Sequence, residues 1–281
     1  MLRSVARMLR RWNARRAAAR LSTHEFPRLN AVGQALHETL DDAVSPDERG
    51  MISRIEARRS SLLQSNETIR VIDYGAGSSD SRRTYDEMRR GVQSTAPVAR
   101  ICMASKPAFW ALFLFKLIRR LRPASCLELG SCVGLSAAYQ AAALHLNGEG
   151  RLLTLEGSPA IADIARSTLA GLELSNASVV VGPFHETYRG ALEAARPVDF
   201  LFNDGHHDHD ALLSYFSEAL PYLADEAVIV FDDISWSPGM RKAWTTIERD
   251  QRVAATIDMR TMGIALIGGT RATGGRFSAP L

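Results

Sequence analysis

From residue 125 onward, apolar runs of about five residues alternate with stretches of helical periodicity. The runs are Ser125–Leu129, Arg151–Leu155, Ala177–Val181, Val198–Phe202 and Ala227–Phe231. Between them, Leu135–Leu144, Ala160–Leu172, Glu186–Ala195 and Asp208–Leu223 read as helices. Each run is apolar on both faces, as strands covered on both sides of a parallel sheet must be. The alternation therefore predicts an α/β fold with a Rossmann-like, doubly wound sheet. After a helix over 239–250, the runs Val253–Asp258 and Gly263–Ile267 are joined by only Met259 to Met262. Four residues cannot hold a crossover helix, so the last pair is an antiparallel terminal hairpin.

The chain before residue 125 reads as a helical N-terminal extension. Arg28–Leu40 is one helix, and a second runs from Ser45 to Leu63, with Ser45 as N-cap and Pro46 at the first helical position. A short strand over Ile69–Ile72 enters the glycine-rich turn Tyr74–Ser79, which is either a lid over a ligand or a plain bend. Residues 81–100 are polar and read as a loop with helical pieces. Lys106–Leu121 is an apolar helix closed by Pro123. Its apolar run, Phe109 to Ile118, is about half of the ~20 residues a bilayer crossing needs. Three segments result: a basic leader over 1–24, the extension over 25–105, and one large α/β domain over 106–281.

Composition adds little beyond class. With 46% hydrophobic and 23% charged residues, neither a disordered chain nor a multi-span membrane protein fits. Charge is more informative. The seven arginines of residues 1–20, with no acid among them, exceed the whole net charge of +3, so the remaining chain is net acidic. The sequence pI of 8.9 is thus no evidence for a nucleic-acid-binding surface on the body, and no nucleic-acid partner is expected. Cys102, Cys126 and Cys132 are odd in number and lack metal-ligand spacing, which points to reduced thiols and a cytoplasmic protein. The leader sustains three readings: a solvated basic tail, the first expectation for a charge run, a membrane-peripheral surface helix, or an organelle transit peptide.

The chemistry sits at strand ends. In open α/β sheets, ligands bind beyond the carboxyl ends of the strands, where strand order reverses. The loop after the first strand is Glu128-Leu129-Gly130-Ser131-Cys132-Val133-Gly134, whose glycines are four apart. It lacks the middle glycine that lets a backbone touch a pyrophosphate, and Cys132 stands there instead. A dinucleotide is disfavoured. Glu156 ends the next strand, where a carboxylate can accept both ribose hydroxyls, so the pair suits a nucleoside without phosphates.

On these residues, and on Asn203-Asp204-Gly205-His206-His207 and Phe231-Asp232-Asp233 at later strand ends, the chain resembles the class I S-adenosylmethionine-dependent methyltransferases. The resemblance runs from about Ser125 to Ile267 and is strongest to the catechol O-methyltransferase-like branch. It implies a seven-stranded sheet with a reversed last strand and S-adenosylmethionine as cofactor. The backbone of the glycine loop (Gly130, Ser131, Gly134) and Glu128 would hold the methionyl part, Glu156 the ribose, and Gly182, Pro183 and Phe184 the adenine. It also implies a divalent cation, Mg2+ or another hard ion, on Asp204, Asp232 and Asp233; otherwise these carboxylates, Asp204 first, would bind the cofactor's ammonium.

The chain departs from that branch twice, with Asp233 where an asparagine is usual and His207 where a lysine base is usual. Histidine titrates near neutrality and can act as general base, as a metal ligand, or merely as a loop residue. Asp208 reads as a helix cap and His209 as solvent-facing. The expected reaction is O-methylation of a small-molecule acceptor, with Asp204 and His207 as catalytic groups. Aminopropyl transfer on the same fold, and a noncatalytic membrane-associated module working through the leader, are the alternatives.

Overall fold

In the computed structural model, the described residues are 2–78, 81–268 and 275–281. Ser79, the end of the Tyr74–Ser79 turn, lies outside them. The chain opens with Leu2–Ser22 (α1), Pro27–Leu40 (α2) and Pro46–Leu63 (α3). Strand Thr68–Asp73 (β1), the two-residue strands Gly77–Ser78 (β2) and Ser81–Arg82 (β3), helix Tyr85–Arg90 (α4), strand Val92–Pro97 (β4) and helix Val98–Met103 (α5) follow. Ala108–Leu121 (α6) leads into the sheet. There Ser125–Leu129 (β5), Arg151–Glu156 (β6), Ala177–Val181 (β7), Val198–Asn203 (β8) and Leu223–Phe231 (β9) alternate with Leu135–Asn147 (α7), Pro159–Gly171 (α8), Phe184–Ala195 (α9) and His209–Ala219 (α10). Pro238–Ile247 (α11), Val253–Asp258 (β10), Gly263–Ile267 (β11) and Gly275–Ser278 (β12) complete the chain.

The strand order is β12-β10-β11-β9-β8-β5-β6-β7. Strands β5 to β9 are mutually parallel, and β11 runs antiparallel to both β9 and β10, as the short Met259–Met262 connection requires. The sheet has eight strands and not seven, because Gly275–Ser278 adds in parallel to the outer edge of β10. From β5 the chain winds out through β6 and β7, then returns to place β8 on the other side of β5. The strand order therefore reverses between β5 and β8, and that crevice is where a ligand has room. Side-chain alternation splits two cores between the faces: along β9, Val228 and Val230 join one, Ile229 and Phe231 the other.

Three local expectations change. The helix read over Asp208–Leu223 stops at Ala219, since Pro221 has no N–H to continue it, and a single 3-10 turn over Leu220–Tyr222 hands the chain to β9. Residues 92–97, read as loop, form β4, paired antiparallel with β1 in a two-stranded ribbon. The ribbon buries few side chains, so it carries no apolar alternation to read. The leader is not a solvated tail. Ala14, Ala18 and Leu21 are buried against α2, and a Cβ at Gly33 would come within 2.3 Å of the Ser22 nitrogen, so α1 and α2 touch backbone to backbone. Arg15 Nη2 adds a 2.6 Å bond to Asp41, and Arg11 Nη2 donates to the Leu40 carbonyl. No helix among the described residues is long and apolar enough to cross a membrane.

The Ser45 cap forms as read, and Glu48 completes it: Ser45 N donates to Glu48 Oε2 at 2.9 Å, and Glu48 N to Ser45 Oγ. The same carboxylate takes a 2.6 Å bond from Lys116 Nζ, buried in the middle of apolar α6, with Glu38 3.3 Å away. Burial works against the Glu48 charge, but the bonds from Lys116, Ser45 and Arg119 outweigh it and hold the carboxyl below its usual value. Lys116→Ala removes the buried cation between Glu48 and Glu38, leaving them only the more exposed Arg119 and Arg120. It is expected to cost about 3–5 kcal/mol, read as a lower urea midpoint with unchanged slope.

Candidate active site

The crevice between β5 and β8 opens into a cavity of about 690 Å3. On its floor, the glycine loop is pinned from below: Gly130 N and Ser131 N both donate to the Leu155 carbonyl at 3.0 Å. Gly130 has φ +96°, and a Cβ there would lie 2.8 Å from the Asp204 carbonyl oxygen. A side chain is thus barred by the neighbouring strand's loop, as well as by backbone conformation. Cys132, which also lines the cavity, turns its thiol towards the Ile101 carbonyl at 3.5 Å and Ser105 Oγ at 3.6 Å. Burial pushes that thiol up to about 12, so it stays protonated.

Glu156 lines the cavity, where its Oε2 accepts from Cys132 N at 3.0 Å and its Oε1 from Ser158 N at 2.9 Å. Burial dominates its environment and raises the carboxyl to about 7 despite these bonds. Pro183 and Phe184 line the cavity beside it, while Gly182, with φ +138°, donates its N–H to the Glu156 carbonyl and shapes the turn. Glu128 and Ser131 do not line it. Glu128 is fully buried beneath the loop, accepting from Gln140 Nε2 at 2.6 Å and from Thr154 Oγ1 at 2.5 Å, and Ser131 Oγ is 2.6 Å from that same threonine. Burial lifts Glu128 to about 7 as well. These two side chains, with Gly134 at the start of α7, support the loop from beneath.

The opposite wall comes from the N-terminal extension. Asp73 at the end of β1 and Tyr74 and Gly75 after it, with Arg83, Arg100 and Ile101, line the cavity, so the Tyr74 turn is part of its wall. His206 ties this wall to the β8 loop. Its Nε2 donates to the Tyr74 carbonyl at 2.5 Å, so Nδ1 accepts from Tyr215 Oη at 2.6 Å, and Phe184 meets the ring edge-on at 5.3 Å. Burial lowers the basicity of this imidazole, in keeping with a neutral ring. Nothing in the sequence pattern singled out His206, because its partner lies 132 residues away. Asp208 caps α10 through Asp210 N and Ala211 N, as read.

The three aspartates do not converge on one point. Asp204 lines the cavity and Asp232 is wholly buried, and between them stands the ammonium of Lys106, from the linker before α6. Its Nζ is 3.4 Å from Asp204 Oδ2 and is ion-paired with Asp232 Oδ2. Asp233 turns the other way, with φ +51°, and lies 3.7 Å from His207 Nε2. Among the described residues no three His, Cys, Asp or Glu side chains are grouped to hold a metal ion. This donor set does not fit a divalent cation. Sequence reasoning missed Lys106 because it read as the first residue of an apolar helix.

Residues 127–234 match a family model described as a methyltransferase domain. No curated protein matches the chain. Among solved structures, an O-methyltransferase from Bacillus cereus in complex with SAH is 19% identical, covering 82% of this chain and 95% of that one, with a TM-score of 0.52. A SAH-bound methyltransferase from Podospora anserina is 13% identical over 80% of this chain and 89% of its own, with a TM-score of 0.55. The O-methyltransferase TomG from Streptomyces achromogenes, involved in tomaymycin synthesis and solved with SAM, is 23% identical over 59% and 82%, with a TM-score of 0.50. The glycine loop, the Glu156 strand end and the β8 and β9 strand ends all fall inside the matched span. The chain carries a methyltransferase domain, on the fold of the class I S-adenosylmethionine-dependent methyltransferases.

Proposed function

We propose that this protein methylates a hydroxyl group of a small-molecule acceptor, using S-adenosylmethionine. The observation that carries this reading is that Glu156 and His207 open into one cavity from loops on either side of the strand-order reversal. The Glu156 oxygens take backbone N–H groups, and a carboxylate's acceptor capacity leaves room for ribose hydroxyls. Phe184 offers an apolar wall for a purine, and the Gly130 bend brings bare backbone to the cavity floor. Residues 106–281 form the catalytic unit, and 25–105 supply the facing wall.

S-adenosylmethionine brings a methyl group on a sulfonium, transferable by in-line displacement to an aligned nucleophile. What the chain must add is alignment and a place for the acceptor's proton. Asp233 beside His207 Nε2 favours the tautomer protonated there, leaving Nδ1, which has no hydrogen bond among the described residues, to accept that proton. The acceptor hydroxyl's proton would pass to Nδ1, freeing the oxygen lone pair for the methyl group that bound S-adenosylmethionine would supply. Asp204 is engaged by Lys106 and is not the base. Titration calorimetry tests the cofactor assignment: S-adenosylhomocysteine is expected to bind in the micromolar range and NAD not at all. Comparable NAD binding overturns the reading.

A further inference from the structure

Asp232 is a carboxylate with no exposed surface, and among the described residues neither of its oxygens has a hydrogen-bond partner. An uncompensated charge there is prohibitive, so a cation must stand against it. The cation present is the Lys106 ammonium, on a side chain only 9% exposed, which also faces Asp204 and lies 5.9 Å from the centre of the Phe202 ring. Two carboxylates from adjacent strand ends facing one point would be bridged by a hard divalent ion if that point were free.

We propose that Lys106 is the resident cation of this centre, taking the seat a divalent metal would need between Asp204 and Asp232, so that the protein works without one. The assignment rests on the methyltransferase reading only in calling the centre catalytic. Lys106 comes from the N-terminal side of the domain, on the same linker that seats Ser105 against Cys132 of the glycine loop. The ammonium ties that linker to the ends of β8 and β9 as well. Lys106 is accordingly a positioning residue. It neutralises the buried carboxylates, and acceptor deprotonation is left to His207.

The test is Mn2+ titration of the full-length, EDTA-treated protein, followed by the electron paramagnetic resonance signal of free Mn2+. Wild type is expected to take up no ion, and methyl transfer to be indifferent to EDTA. Lys106→Met opens the paired carboxylates and is expected to bind one Mn2+ at least about 100-fold more tightly than wild type, since a repelling charge within ion-pair distance is gone. Adding Asp232→Asn removes that site, and Lys106→Arg does not create it. A purely structural lysine would give no such exchange. Stoichiometric Mn2+ uptake by wild type, lost in Asp204→Asn, overturns the proposal, as does a folded Lys106→Met protein that binds no ion. Should circular dichroism show Lys106→Met unfolded, Lys106→Gln takes its place; if neither folds, wild-type uptake and EDTA response decide. Absent S-adenosylhomocysteine binding counts against the methyltransferase reading alone, because the ion titration is read without it.

Discussion

His207→Ala is expected to lower kcat by about 10²–10⁴-fold, the usual worth of a positioned general base, while S-adenosylhomocysteine affinity stays within a few-fold of wild type. The split follows from position. His207 lines the acceptor side of the cavity, its Nε2 faces Asp233 at 3.7 Å, and its ring lies against Trp236 at 5.7 Å. None of these contacts involves the glycine loop or Glu156. Asp233→Asn leaves the imidazole in place but weakens the preference for the Nε2–H tautomer, so a smaller kcat loss with unchanged KM is expected. Steady-state kinetics on both variants, with calorimetry for binding, check this. An equal loss of S-adenosylhomocysteine affinity in His207→Ala would place the residue in cofactor binding instead.

Cofactor affinity is expected to fall as pH drops below about 7, because Glu156 then takes up a proton. Burial raises this carboxyl from the usual 4.5 to about 7 in the ligand-free protein. Between those values the folded chain holds a proton that the unfolded chain has lost. Its contribution to stability is therefore fully present below pH 4.5 and disappears as pH rises to 7. Glu128, raised likewise to about 7, acts in the same direction. A ligand whose hydroxyls donate to the carboxylate favours the ionised form, so binding strengthens over the window in which this stability is lost. Affinity is expected to fall about fivefold from pH 7 to pH 6, approaching about tenfold per pH unit further below. Glu156→Gln should weaken binding by about 10–100-fold, the loss of a hydrogen bond to a charged group, and flatten that pH dependence. Calorimetry at pH 6, 7 and 8 on both proteins reads the effect; a wild-type profile as flat as the variant's would remove Glu156 from the ribose site.

The cavity wall contributed by the extension is tied to the sheet through His206. Tyr74 is clamped to the β8 loop through His206, whose other nitrogen is held by Tyr215. The β8 loop and the β1–β4 ribbon are thus joined by hydrogen bonds, and residues far apart in sequence line one cavity.

The alternation of apolar runs was enough by itself to set the doubly wound sheet, the terminal hairpin and the strand ends where Gly130, Glu156, Asp204 and His207 stand. Those features are local: a strand buried on both faces and a short connection each leave a mark on a few consecutive residues. The β1–β4 ribbon and β12 leave none, because their side chains are half exposed and their partners distant. The docking of α1 was equally hidden, since Ala14, Ala18 and Leu21 become an apolar stripe only against Gly33 of α2. Most of all, three aspartates at two strand ends suggested a metal through the family resemblance. Only the tertiary structure could set Lys106, 98 residues before Asp204, between two of them. Buried charges are balanced by whatever cation lies nearest in space, and spatial nearness across such a separation is written in the packing of whole elements, not in any stretch of sequence.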